Sequence, residues 1–211
     1  MGDMMDGAWS AKLFVRDYLA LDIPERIIAY RNRWQLADDR LPDPVLYTAY
    51  EPPALDQWPS IYTIQTDAAS FERIDFTISQ DPVYRVIYNM RTYVWARDIG
   101  DADNDLTMAH QVTEARDRLA TVVRSSLLDH PSMQRTENIY FPSLDVDVKL
   151  DETTLTEVYS DITYVKGNRA IAGAYLGYQF ACNEVITRRG VADSLQEVNV
   201  DVVPLGWDGI R

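Results

Sequence analysis

Asp101-Ala102-Asp103-Asn104-Asp105 places side-chain oxygens at alternate positions, the way a calcium-binding loop begins. Such a loop needs glycine at its sixth position and a bidentate glutamate at its twelfth. Here those places hold Leu106 and Val112, so the EF-hand pattern fails. Two readings stay open: an acidic turn in which Asp105 caps the following helix, and a weak cation site shared with a partner. Asp101, Asp103 and Asp105 are therefore candidates for an acidic loop that faces a partner. His110 and His130 stand in no His-x-x-x-His or Glu-x-x-His spacing that would gather metal ligands. Ser125-Ser126 lacks a nucleophile elbow. The single cysteine, Cys182, sits in an apolar run and reads as a buried small hydrophobe. Gly173 and Gly177 form Gly-x-x-x-Gly on a strand pattern, where its membrane-helix meaning does not apply. No phosphate loop or dinucleotide fingerprint occurs. Carboxylates are abundant, but no pair stands out as an acid and base. The expectation is a chain with no catalytic, cofactor-binding or metal residue.

A different chemistry is carried by Arg91, Tyr93, Trp95 and Arg97. They alternate, so on a strand they share one face. Tyrosine, tryptophan and arginine together are the composition of a protein contact surface. A sheet face covered by the N-terminal helices fits the same composition. Both readings stand at this point, and the four residues are the candidate subunit interface.

The chain has 211 residues, 46% of them apolar, which suits one folded domain with extensions. Twenty basic residues against 33 acidic ones leave a net charge of −13. That sign argues against a surface that binds DNA or anionic lipid. One cysteine excludes an intrachain disulfide and fits reduced, cytosolic folding. Met1–Gly7 carries Asp3 and Asp6 and no basic residue, unlike a signal peptide. The uncharged run Ala170–Asn183 is too short to cross a bilayer.

The elements follow from periodicity. Leu13, Phe14, Tyr18 and Leu21 make one helical stripe. Asp22, Pro24 and Glu25 resemble the start of a second helix carrying Ile27, Tyr30 and Trp34. Prolines 42, 44, 52, 53 and 59 leave 38–59 irregular, with a short strand at Leu46–Tyr50. Short strands are expected at Ile61–Thr66 and Ile74–Ser79, with a turn or helical turn between them. Val83–Arg97 is a long strand whose core face holds Tyr84, Val86, Tyr88, Met90, Val94 and Ala96. Leu106, Ala109, Val112, Ala115, Leu119, Val122 and Val123 are the stripe of a long helix over Asp105–Leu128, stopped by His130-Pro131. Leu144–Asp151 and Thr154–Val165 alternate as strands. Gly167-Asn168 signals a hairpin into a second long strand, Arg169–Ile186, with Ala170, Ala172, Ala174, Leu176, Tyr178, Phe180 and Cys182 on one face. Val198, Val200 and Val202 alternate once more. The fold class is α+β: a mostly antiparallel or mixed sheet with one long helix on a face, N-terminal helices and long strand extensions. One domain is expected, with 1–58 a helical and Pro-rich extension, 59–188 the core and 189–211 a tail.

This order resembles the tail terminator proteins of long-tailed bacteriophages. The resemblance runs over Ile61–Ile186, from Trp58-Pro59-Ser60-Ile61-Tyr62-Thr63-Ile64 through the long strand and helix to Tyr175-Leu176-Gly177-Tyr178-Gln179-Phe180. It rests on element order and strand length, not on a motif. It implies a non-enzymatic structural virion protein at the top of the tail, made in the host cytoplasm. Such proteins form a homo-oligomeric ring, a hexamer, that caps the tail tube, ends its growth and joins it to the head connector. The partners implied are the major tail tube protein and the head–tail connector or head-closure protein. DNA would pass the lumen without specific binding, the loop of Asp101, Asp103 and Asp105 would face that lumen or a partner, and no membrane is involved. The resemblance fixes no residue position by position. The alternatives are a head-closure or head–tail adaptor protein of the same neck, and a carboxylate-using enzyme or binding domain with an acid-lined pocket.

Overall fold

The computed structural model describes residues 7–51, 57–74, 82–98, 105–133, 148–165 and 169–185. Helix α1 spans Gly7–Trp34, a 3-10 turn Asp38–Arg40, and strand β1 Leu46–Thr48. Strands β2 (Ser60–Arg73) and β3 (Val83–Arg97) follow, then helix α2 (Asp105–Asp129). Strands β4 (Lys149–Tyr159), β5 (Thr163–Val165) and β6 (Arg169–Val185) complete the chain's described elements. They form one mixed sheet in the order β1-β2-β3-β6-β4, with β5 also on β6. Only β1 and β2 run parallel. The α+β class with a long helix on a face is what the sequence predicts. Of the strand expected at Ile74–Ser79, residues 75–79 lie outside the described residues. So do residues 144–147, Gly167-Asn168, Asp101, Asp103 and the 198–202 pattern.

Alternation decides which side of the sheet is sealed. Val86, Tyr88, Met90 and Val94 of β3 lie beside Leu176, Tyr178, Phe180 and Cys182 of β6 in one core. Helix α1 adds Phe14, Val15, Tyr18, Leu19, Ile23 and Ile27 to it, and α2 adds Leu119, Val122, Val123 and Leu127. Both helices therefore cover the same face. At one end of α2, Met108, Val112 and Ala115 press on Ala96, Ala170 and Ala172, whose small side chains admit the helix closely. Three hydroxyls on this face form a chain: Thr63 Oγ1 lies 3.0 Å from Thr92 Oγ1, which lies 2.9 Å from the Tyr178 hydroxyl. Asp98 fastens the end of β3 to the start of β6. Its buried carboxylate accepts from the Ala170 N–H at 2.8 Å and from Arg169 at 3.0 Å.

Three local expectations are corrected. The N-terminal stretch is one helix, not two, and Pro24 lies inside it. Asp22 stands inside that helix rather than at the start of another; it is buried and binds α2. Its Oδ2 pairs with Arg26 and accepts from the Ser126 hydroxyl at 2.6 Å. Arg26 also donates to Ser125 Oγ at 3.2 Å and to Asp129 at 2.7 Å, and Tyr18 donates to the Ser126 carbonyl. This clamp spans both sides of the proline. Secondly, β2 is a single strand through the expected turn, because two register shifts (Gln65/Asp67 and Ala68/Ser70) let it follow β3 past Asp67. Thirdly, the stretch 154–165 is not one strand. Ser160 breaks it, its backbone N–H and hydroxyl both bonding the Gly173 carbonyl at 2.9 Å.

Two measurements probe this packing. The Arg26 guanidinium holds the Asp129 carboxyl below its ordinary value, chiefly by hydrogen bonding. A depressed carboxyl stabilises the fold above its unfolded pKa of about 3.9 and loses that effect as pH falls through the folded value. Asp129→Asn is expected to lower the urea midpoint at pH 7, with the gap to the native chain closing below about pH 4. A gap independent of pH would contradict the pairing. The Tyr47 hydroxyl is buried with no hydrogen-bond partner among the described residues. Tyr47→Phe removes that unpaired group and is expected to be neutral or stabilising, by up to about 1 kcal/mol in urea unfolding. A clear destabilisation would show that the hydroxyl is bonded.

Candidate functional site: the open sheet face

The second face of the sheet bears no helix among the described residues. Its side chains stand in cross-strand rows fixed by the register. Ser60, Trp95 and Gly173 make the first, and Tyr62, Tyr93 and Tyr175 the second, with Val158 of β4 beside Tyr175. Ile64, Arg91 and Gly177 follow, then Asp67, Asn89 and Gln179.

The tyrosine row is a ladder of rings. Tyr62 and Tyr93 stack with centroids 4.8 Å apart and planes 12° from parallel. Tyr93 and Tyr175 follow at 5.2 Å, tilted by 43°. The Arg91 guanidinium carbon lies 4.9 Å from the Tyr175 ring centroid, a cation–π contact that ends the ladder. Trp95 lies flat on the backbone of Gly173. A Cβ built on that glycine would come 2.7–2.9 Å from three atoms of the indole. Its Nε1 donates to the Tyr62 hydroxyl at 3.3 Å. Arg97 lies 6.0 Å over the Trp58 ring. Burial pushes the Tyr62 hydroxyl's pKa up, so it stays protonated at neutral pH. The next row is polar and closed on itself: Asn89 donates to Asp67 at 2.7 Å and Gln179 to Asn89 at 3.2 Å.

The structure thus brings Arg91, Tyr93, Trp95 and Arg97 onto one face. It is the face opposite α1, so the N-terminal helix does not cover them. Tyr93 and Trp95 are half-buried and Arg97 is exposed. The sequence reading did not join Tyr62, Tyr175, Trp58 and Gly173 to these four; they complete the surface from other segments. Tyr175 was legible as the outward partner in the β6 alternation. Of the candidate acidic loop, Asp105 is the first residue of α2, and Asp101 and Asp103 lie outside the described residues.

The residues weighed for chemistry go to other uses. Burial, then Glu184, push the Cys182 thiol up to about 12, the opposite of a reactive thiolate. Ser125 and Ser126 belong to the α1–α2 clamp. His110 is exposed on α2, and His130 sits 3.6 Å from Asp129. Among the described residues no three His, Cys, Asp or Glu side chains gather as a metal site. Two open grooves lie on the sheet. One, of about 480 Å³, is lined by Arg85, Lys149, Asp151, Glu152 and Gln179. The other, of about 460 Å³, is lined by Asp67, Asn89, Arg91, Thr156 and Tyr175. Hydrogen bonds from Thr153 hold the Asp151 carboxyl below its ordinary value, which suits a permanent anion rather than a proton donor. No described helix is long and apolar enough to cross a membrane.

Compared with known proteins, the chain matches no family model and no curated protein.

Proposed function

We propose that this chain is the tail terminator of a long-tailed bacteriophage. It forms a ring, six subunits in the proteins it resembles, that caps the tail tube, ends its polymerisation and joins it to the head connector. The observation that carries the reading is the aromatic and arginine-bearing face of a long sheet whose other side is sealed by two helices. A closed ring of identical subunits needs a surface on each subunit that meets a different surface of the next. Half-buried Tyr and Trp beside Arg are the side chains that dominate such contacts. The net charge of −13 supports a lumen through which DNA passes without sticking. The subunits are made in the host cytoplasm and end in the neck of the virion, against the tail tube and the connector.

Electron microscopy of virions carrying a labelled chain tests the location. Label is expected at the top of the tail, and label anywhere else rejects the proposal. Loss of the chain separates it from the neighbouring neck roles. A terminator's absence gives tubes of uncontrolled length. Tubes of normal length that fail to join heads would assign the chain to head closure or the adaptor.

A further inference from the structure

We infer that Gly173, with the Tyr62 hydroxyl, is the positioning element that presets Trp95 for the subunit contact. This rests on the open face being that contact. The indole spends one ring face on the Gly173 backbone, at a distance no residue with a Cβ permits. Ser160, just past the end of β4, locks Gly173 through its hydroxyl to both the N–H and the carbonyl of Gly173, each at 2.9 Å. The strand therefore cannot sink away from the ring. The bond from Nε1 to Tyr62 fixes rotation in the plane, and Tyr62 is itself held by stacking on Tyr93. The side chain is restrained below by backbone and at its edge by a buried tyrosine before any partner arrives. Preorganisation of this kind lowers the entropy lost when a large aromatic is immobilised at an interface. A second consequence concerns register. Gly173 faces Trp95 only in the observed β3–β6 pairing, so the same glycine that seats the indole also marks the one alignment in which the platform exists.

The test labels the five tryptophans with 5-fluorotryptophan and follows them by 19F NMR, with Trp95 assigned through Trp95→Phe. In Gly173→Ala the Trp95 resonance is expected to shift and broaden while those of Trp9 and Trp34 stay in place, and ring assembly is expected to fall at least tenfold. Tyr62→Phe, which removes one hydroxyl, is expected to move the same resonance by less and serves if Gly173→Ala fails to fold. A Trp95 resonance unchanged in both variants overturns the positioning role. A moved resonance with undiminished assembly keeps Gly173 as the seat of Trp95 but removes Trp95 from the contact, and so overturns the subunit interface instead.

Discussion

Replacing Asp22 by alanine is expected to destabilise the chain by about 3 kcal/mol, the low end of what breaking a buried ion pair costs. Asp22 is the centre of the clamp, with a side chain only 6% exposed against 16% for Arg26. Its loss leaves the Ser126 hydroxyl without that acceptor, while Arg26 keeps Asp129 and Ser125. Those remaining contacts keep the effect from reaching the top of the range. The cost is raised by position, because Pro24 has already removed one backbone bond from the middle of α1. Asp22→Asn keeps an acceptor for Ser126 and is expected to cost about half as much. The double variant with Arg26→Ala should cost less than the two single changes summed, by about 1–2 kcal/mol, since the pair shares one network. Urea unfolding followed by circular dichroism measures all three. A change of less than about 0.5 kcal/mol for Asp22→Ala would mean that α1 does not rest on α2 through this residue.

The second large effect is on assembly. In the proposed ring, Tyr93→Ala together with Trp95→Ala should weaken assembly by about 100-fold or more, since central aromatic anchors of an interface each contribute on the order of 2 kcal/mol. The isolated subunit should stay folded. What it loses is the two ring contacts of Tyr93, each worth about 0.5–1.5 kcal/mol, and the Trp95 contacts with the Tyr62 hydroxyl and the Gly173 backbone. Mass photometry of the purified variant, and its capture by tail tubes, read the first effect. The urea midpoint reads the second. Loss of cooperative unfolding would place these rings in the core and not on a contact surface.

The long elements were legible because their patterns are nearly unbroken. Val83–Arg97 alternates with Ile87 as the exception on its outer face, and its bounds stand as read. The second long strand and the α2 stripe likewise end within a residue of their expected places. Failures occurred where a distant partner overrides a local signal. Asp22 beside Pro24 and Glu25 has the composition of a helix start, yet its carboxylate is satisfied by Ser126, 104 residues away. In β2 the residues paired with the helix-side positions of β3 include Ile61, Thr63, Ala68 and Phe71, a series no strict two-residue period contains. The two register shifts move the phase, and Asp67-Ala68-Ala69-Ser70 then reads as a turn. The open face was half legible for the same reason. One strand showed Arg91, Tyr93, Trp95 and Arg97 together. That Tyr62 and Tyr175 flank Tyr93, and that glycine lies under Trp95, depends on registers between segments far apart in the chain.

The central pair of strands has a mechanical consequence. From Val83 against Val185 to Arg97 against Ile171, β3 and β6 pair without a break. Fifteen residues of antiparallel strand extend about 50 Å. A force along that axis loads every cross-strand bond at once, in shear, and none can fail alone. A force at right angles, applied at β1 or at the interrupted ladder of β4, opens bonds one after another like a zip. The sheet is therefore a stiff plank lengthwise with compliant margins. In the proposed tail, which must transmit tension between head and tube, the plank is strongest with β3 and β6 lying along the direction of pull.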